Sequence, residues 1–214
     1  MSDANSDAIT IYDIDNRKWE EKYIHPEYIK NKEDLKSICF EPCGDLFLFP
    51  LFTREFCNEI IENCNHLNQW SDGKNDKIDP RIGTYENVPT QDIHLKQIRF
   101  EKQWEKIVFT YVAPIATLVY SRYKTKGINI SFVVKYSMNG QTFLEPHHDS
   151  STYTINICLN SDFEGGGCHF LRQDFTLNNK GIGYATMHPG RLTHYHEGLH
   201  ITDGERYILV CFIN

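Results

Sequence analysis

No apolar run in this 214-residue sequence approaches the length of a membrane span. The opening residues, Met1-Ser2-Asp3-Ala4-Asn5, lack the apolar stretch of a signal peptide. Seven cysteines are present (Cys39, Cys43, Cys57, Cys64, Cys158, Cys168 and Cys211), but no two form a C-x-x-C pair, so neither a zinc ribbon nor a redox dithiol is indicated. Most stand among apolar residues, where a free thiol behaves as a small hydrophobe. Basic residues are in deficit: 22 Lys and Arg stand against 29 Asp and Glu, a formal net charge of −7. That balance argues against a nucleic-acid partner and is compatible with a cationic substrate. Gly165-Gly166-Gly167 is followed by no Gly-Lys-Ser/Thr, and strand-like residues come next, so it reads as a turn between strands and not as a phosphate loop. The length suits one sizeable core and is short for two ordinary domains.

The pattern along the chain predicts a flexible lead-in over residues 1–18. A short strand follows over 44–52, closed at Pro50. A helix capped by Thr53 then runs to Leu67, with Phe56, Ile60, Cys64 and Leu67 on one face. Residues 71–80 are rich in Asp, Asn, Lys and Gly and read as a loop; with Tyr85, Glu86 and Asp92 nearby, the stretch 71–92 forms either a lid over a site or an ordinary surface loop. The clearest helix spans 101–119, where Trp104, Ile107, Val108, Tyr111, Val112, Ile115 and Val119 keep helical spacing and Pro114 should bend or divide it. Ile128, Ile130, Phe132, Val134 and Tyr136 alternate with other residues, which is a strand with one apolar face. Further strands are expected over 152–159 and 207–214.

Chemistry concentrates near residue 147. Leu144-Glu145-Pro146-His147-His148-Asp149-Ser150 contains an H-x-D pair, half of the two-histidine, one-carboxylate face that holds non-haem Fe(II). Alone it is equally a solvated turn after Pro146. The third ligand would be a later histidine, and His188, His194, His196 and His200 are all candidates. Only His196 stands ten residues before an arginine, Arg206. Arg206 shares strand parity with Ile208, Val210 and Phe212, so it should face the interior, where a guanidinium needs an anionic partner.

Several segments together resemble the catalytic domain of procollagen lysyl hydroxylases. They are Trp19-Glu20-Glu21-Lys22-Tyr23-Ile24-His25-Pro26, Tyr85-Glu86-Asn87-Val88-Pro89-Thr90, the run from His147 to Ile157, Glu164-Gly165-Gly166-Gly167-Cys168 and the run from Met187 to Leu199. The likeness covers residue 19 to the end, and the Lys-, Asn- and Ile-rich composition suggests a divergent member such as giant viruses carry. It implies a β-rich α+β fold: a double-stranded β-helix (jelly-roll) core over 128–214, buttressed by a helix-containing support region over 19–127. It also implies glycosyltransferase-like domains ahead of this one in relatives. Animal relatives have a cysteine where this chain has Phe175, so at least one family disulfide is expected to be missing.

By the same resemblance His147, Asp149 and His196 are the metal ligands, and His148 points away. Arg206 holds the distal carboxylate of 2-oxoglutarate, with Tyr136 and Asn156 as helpers. Tyr136 is otherwise a core tyrosine with a satisfied hydroxyl. The implied cofactors are Fe(II), 2-oxoglutarate as cosubstrate and L-ascorbate. The implied reaction hydroxylates C5 of lysine in a collagen-like polypeptide and releases succinate and carbon dioxide. Rival readings are a related oxygenase acting on proline and a non-catalytic metal-binding jelly roll. The family implies homodimers and, for its animal members, the endoplasmic reticulum lumen; for a viral member it implies the infected host cell or virion. Leu192 is the only large aliphatic residue between His188 and Gly198. It either plugs the barrel, as strand parity with His196 suggests, or meets a second copy of the chain.

Overall fold

The computed structural model describes residues 9–74, 77–84, 88–121, 123–178 and 181–214. Twelve strands are found among them. Those of the first part of the chain are β1 (Phe40–Cys43), β2 (Leu46–Pro50), β3 (Asp92–His94) and β4 (Ile128–Ser137). Next come β5 (Leu144–His147), β6 (Tyr153–Cys158), β7 (Phe163–Gly165) and β8 (Cys168–Phe170). The last are β9 (Phe175–Leu177), β10 (Tyr184–Pro189), β11 (His196–Gly198) and β12 (Ile201–Ile213). They make two antiparallel sheets. The larger has the order β1-β2-β10-β6-β12-β4-β3, with β7 added along β12; the smaller has the order β5-β11-β8-β9. This is the expected jelly-roll core. Three strands of the large sheet, β1 to β3, come from before residue 128, so the support region shares its sheet with the β-helix core.

The two faces of the large sheet do different work because side chains alternate along a strand. On β12, Tyr207, Leu209, Cys211 and Ile213 join the main core, together with Val133, Ile155, Ile157 and Met187 of neighbouring strands. Helices cover that face: α1 (Trp19–Tyr23), α2 (Pro26–Lys30), α3 (Arg54–Leu67), α4 (Glu101–Ile107) and α5 (Ala113–Val119). Thr53 caps α3 by accepting the Phe56 amide, and Phe56, Ile60 and Cys64 are fully buried. Phe56 stacks on Phe52 with ring centroids 3.7 Å apart. The opposite residues of β12, Arg206, Ile208, Val210 and Phe212, face a cavity between the sheets.

Two expectations need correction and a third is met. The described part of the lead-in is not loose: Ile11 is fully buried, its amide donates to Glu59 and its carbonyl accepts the Trp19 indole N–H. The helix at 101–119 is divided, as expected from Pro114, by a π turn over Val108–Val112. The last strand begins at Ile201, six residues earlier than the pattern indicated, because its exposed polar start is held by β7. The parity assumed between Leu192 and His196 supposes one strand through that run; the structure has two, β10 and β11. No disulfide is formed among the described residues. Tyr85 and Glu86, considered as part of a lid, lie outside the described residues, and no helix among the described residues is long and apolar enough to cross a membrane.

Candidate active site

The small sheet brings the H-x-D pair to a distant histidine. His147 ends β5, His196 begins β11, and the two are direct cross-strand partners. Asp149 follows in the turn after β5 and is buried. Its Oδ1 lies 3.2 Å from His147 Nε2 and 3.9 Å from His196 Nε2. One donor atom from each of the three residues falls within 4.8 Å of the others. Both imidazoles are oriented from behind: His147 Nδ1 lies 2.7 Å from the Glu145 carbonyl and His196 Nδ1 2.9 Å from the His194 carbonyl. A carbonyl only accepts, so Nδ1 of each neutral ring carries the proton and Nε2 presents a lone pair inward.

Electrostatics agree with that arrangement. Burial opposes ionisation of Asp149, but the adjacent imidazoles of His196, His147 and His188 outweigh it and hold the carboxyl below its ordinary range. Burial lowers the pKa of His196. At His147 burial also pushes down, yet the hydrogen bond and charge of Asp149 raise the net value. The donor set is thus one carboxylate and two inward lone pairs, which suits a divalent transition metal.

Three other histidines of the two motifs lie away from the donor set, and a fourth stands beside it. His148 is exposed, with its ring 4.8 Å from Tyr195. His194 is buried, with Nε2 3.1 Å from the Gly44 carbonyl. His200 stacks on Phe143 at 4.2 Å. His188, fully buried on β10, stands 3.8 Å from Asp149 Oδ2 and was weighed from sequence only as a ligand candidate.

The large sheet supplies the other side of the cavity, which has a volume of about 390 Å³. Arg206 is 8% exposed and pairs across the β4/β12 ladder with Tyr136. Its guanidinium lies 5.7 Å from both the Tyr136 and Phe163 ring centroids. One of its nitrogens, Nη1, donates to the Gly167 carbonyl at 3.1 Å. No carboxylate among the described residues forms an ion pair with it. Burial pushes the Tyr136 hydroxyl up to about 12, with Arg206 pulling against it, so it stays a neutral donor. Asn156 lines the same cavity, its Nδ2 3.5 Å from His188 Nε2.

The glycine triplet is indeed the turn between β7 and β8, and it also builds the seat of the guanidinium. Gly166 has φ +72°, and a Cβ there would come within 3.2 Å of Phe163 Cε2 and 3.3 Å of Arg206 Cδ. Sequence reasoning missed this contact and that of Phe163; the unbroken run of glycines was the available signal. Leu192 is 76% exposed at φ +70°, so it does not plug the barrel; the bend at Pro189-Gly190 breaks the strand parity that pointed inward.

Comparison with known proteins adds the lineage. Residues 7–125, more than half of the chain, match the OGFOD2-like domain model. The chain is 49% identical over 212 residues to a procollagen lysyl hydroxylase and glycosyltransferase of Acanthamoeba polyphaga mimivirus, covering 96% of this chain and 24% of that protein. It is 49% identical over 201 residues to procollagen-lysine,2-oxoglutarate 5-dioxygenase 1 of Rattus norvegicus, covering 92% of this chain and 27% of that protein. The chain therefore spans about a quarter of the length of these relatives. Among solved structures, AviO1 from Streptomyces viridochromogenes superposes with a TM-score of 0.57 at 12% identity, over 80% of this chain and 90% of that one. A 2OG-Fe(II) oxygenase family oxidoreductase from Burkholderia pseudomallei gives 0.54 at 14% identity, over 88% and 89%. These two likenesses bear on the fold. The family match over residues 7–125 and the near-half identity to lysyl hydroxylases across nearly the whole chain make this chain a member of the OGFOD2-like domain family.

Proposed function

We propose that this chain is an Fe(II)- and 2-oxoglutarate-dependent oxygenase domain that hydroxylates C5 of lysine in collagen-like peptides, with L-ascorbate maintaining the reduced metal. The observation that carries the reading is the pairing of two features across one cavity. One is a buried His147–Asp149–His196 donor set; the other is a buried Arg206 with no carboxylate partner among the described residues. A buried guanidinium without an anion is costly, and a dicarboxylate cosubstrate removes that cost. The relatives named for lysine hydroxylation support the substrate class.

In this reading His147, Asp149 and His196 would hold the iron. When bound, iron and 2-oxoglutarate together supply oxygen activation coupled to oxidative decarboxylation to succinate. The chain's own residues position and insulate. Arg206 would donate its remaining N–H groups to the distal carboxylate, steadied by the rings of Tyr136 and Phe163 and by the Gly167 carbonyl. Tyr136 contributes a neutral hydroxyl and Asn156 an amide. Ile208, Val210 and Phe132 line the remaining wall and exclude water from the centre.

The same reading includes a homodimer formed through the segment bearing Leu192, whose exposed side chain supports a contact between copies. The test of function is succinate release that requires Fe(II), 2-oxoglutarate and a Lys-Gly collagen-like peptide, with the oxygen located on lysine by mass spectrometry. Asp149→Ala should abolish it. Turnover on a Pro-Gly peptide alone would move the assignment to proline, and full activity of Asp149→Ala would defeat it.

A further inference from the structure

His188 is a fourth imidazole at the active site, and the proposed function leaves it unused. It lies on β10 beside β6, fully buried, with its ring 4.9 Å from that of His196, 5.9 Å from His194 and 5.3 Å from Phe170. Its two nitrogens have different surroundings. Nδ1 lies 3.0 Å from the Pro189 carbonyl. That oxygen accepts only, which places the ring proton on Nδ1 and leaves a lone pair on Nε2. Nε2 in turn meets Asn156 Nδ2 at 3.5 Å and Asp149 Oδ2 at 3.8 Å.

The lone pair decides which way Asn156 points. An amide facing an acceptor must turn its nitrogen toward it, because the oxygen would set two lone pairs against each other. Asn156 lies two pairs along the β6/β10 ladder from His188, on the same face and opposite Thr186, and both Asn156 and Thr186 line the cavity. The remainder of the amide is thereby presented to the cavity in one orientation. The ring does this without donating to Asp149, whose separation from Nε2 exceeds a hydrogen bond, so the carboxylate keeps its charge for a cation.

We propose that His188 is a positioning residue that fixes the amide polarity of Asn156 and, through it, the seating of 2-oxoglutarate. This inference rests on the oxygenase reading above. Preorganised donors are worth most in a buried site, where an amide free to flip spends part of its time wrongly oriented.

The test compares His188→Leu, which removes the acceptor at similar volume, with His188→Gln, whose side-chain oxygen can accept from Asn156. The readouts are the 2-oxoglutarate KM and kcat, and 2-oxoglutarate binding to the Mn(II)-loaded protein, which does not turn over. Mn(II) affinity without cosubstrate is measured alongside. His188→Leu should weaken 2-oxoglutarate about tenfold, the scale of one buried hydrogen bond, with Mn(II) affinity held within about threefold. His188→Gln should recover most of the loss. In an Asn156→Ala background His188→Leu should cost nothing further, because the pair acts as a unit. If the leucine variant does not fold, His188→Met takes its place in the same cycle. Unchanged 2-oxoglutarate binding in the acceptor-less variant, or a loss that adds to that of Asn156→Ala, overturns the proposal. A wild-type protein without 2-oxoglutarate-dependent turnover instead overturns the oxygenase reading itself.

Discussion

Replacing Arg206 by alanine removes, among the described residues, the one charged group on the far side of the cavity from the candidate metal donors. The guanidinium is 8% exposed and sits between two aromatic rings, so any carboxylate it binds is also out of water. Truncating one partner of such a buried charged pair costs about 2–5 kcal/mol. At about 1.4 kcal/mol per tenfold, that is a loss of roughly 30-fold to a few thousandfold in 2-oxoglutarate affinity. Arg206→Lys keeps the charge, loses the planar fork, and should recover only part of this. The assay is the 2-oxoglutarate KM from succinate release, paired with melting curves in the presence of Mn(II). Without cosubstrate the variant should melt no lower than wild type, because the buried guanidinium without an anion is a cost that alanine removes. The upward shift that 2-oxoglutarate gives the wild type should vanish. An unchanged KM, or a full ligand-induced shift in Arg206→Ala, refutes the assignment.

Gly166→Ala should weaken 2-oxoglutarate in the same assay without affecting Mn(II) binding, since the new methyl meets Arg206 Cδ and Phe163; it should also destabilise the fold by about 1–3 kcal/mol through its positive φ. No change in either quantity would show the seat to be slack. Burial lowers the pKa of His94, His188, His194 and His196, that of His188 down to about 3. The unfolded chain therefore takes up more protons as pH falls through about 6.5, and metal-free stability should decline on acidification, although His147 and Asp92, both shifted upward, act in the opposite sense. Urea midpoints at pH 8 and pH 5 check this, and His94→Gln should lessen the difference; equal midpoints in the wild type contradict it. Leu192→Asp should turn a sedimenting dimer into a monomer with its melting point preserved, whereas a monomeric wild type ends the dimer proposal.

Arg206 was legible in the sequence because β12 is regular around it: strict alternation with Ile208, Val210 and Phe212 already placed it inward. The same rule failed at Leu192, where a residue in the left-handed region interrupts the strand. The H-x-D spacing marked His147 and Asp149, but bringing His196 to them required the β5/β11 pairing, a contact between residues 49 apart in the chain. The environment of His188 was beyond reach for a related reason. Its burial comes from stacking β8 and β11 over β10, and no local pattern encodes which histidine of the 187–200 run lies beneath that layer. Helix α3 and its Thr53 cap were readable because a cap and a helical stripe are local signals.

The division of the site between two sheets has a mechanical consequence. The three candidate metal donors belong to the small sheet and its following turn, and the groups proposed to face a cosubstrate belong to the large one. No ladder of backbone hydrogen bonds joins the sheets among the described residues, and the strands of the small sheet are only three or four residues long. A metal chelated by a dicarboxylate that reaches Arg206 is a crossbeam between two leaves. At a hundred times its dissociation constant such a ligand adds about 2.7 kcal/mol to the native state. That gain should fall mainly on the short leaf, whose amides are the ones left to breathe in its absence. Hydrogen exchange across β5, β8 and β11 should slow on loading with Mn(II) and 2-oxoglutarate, while the centre of β12, already secured between β4 and β6, should hardly change.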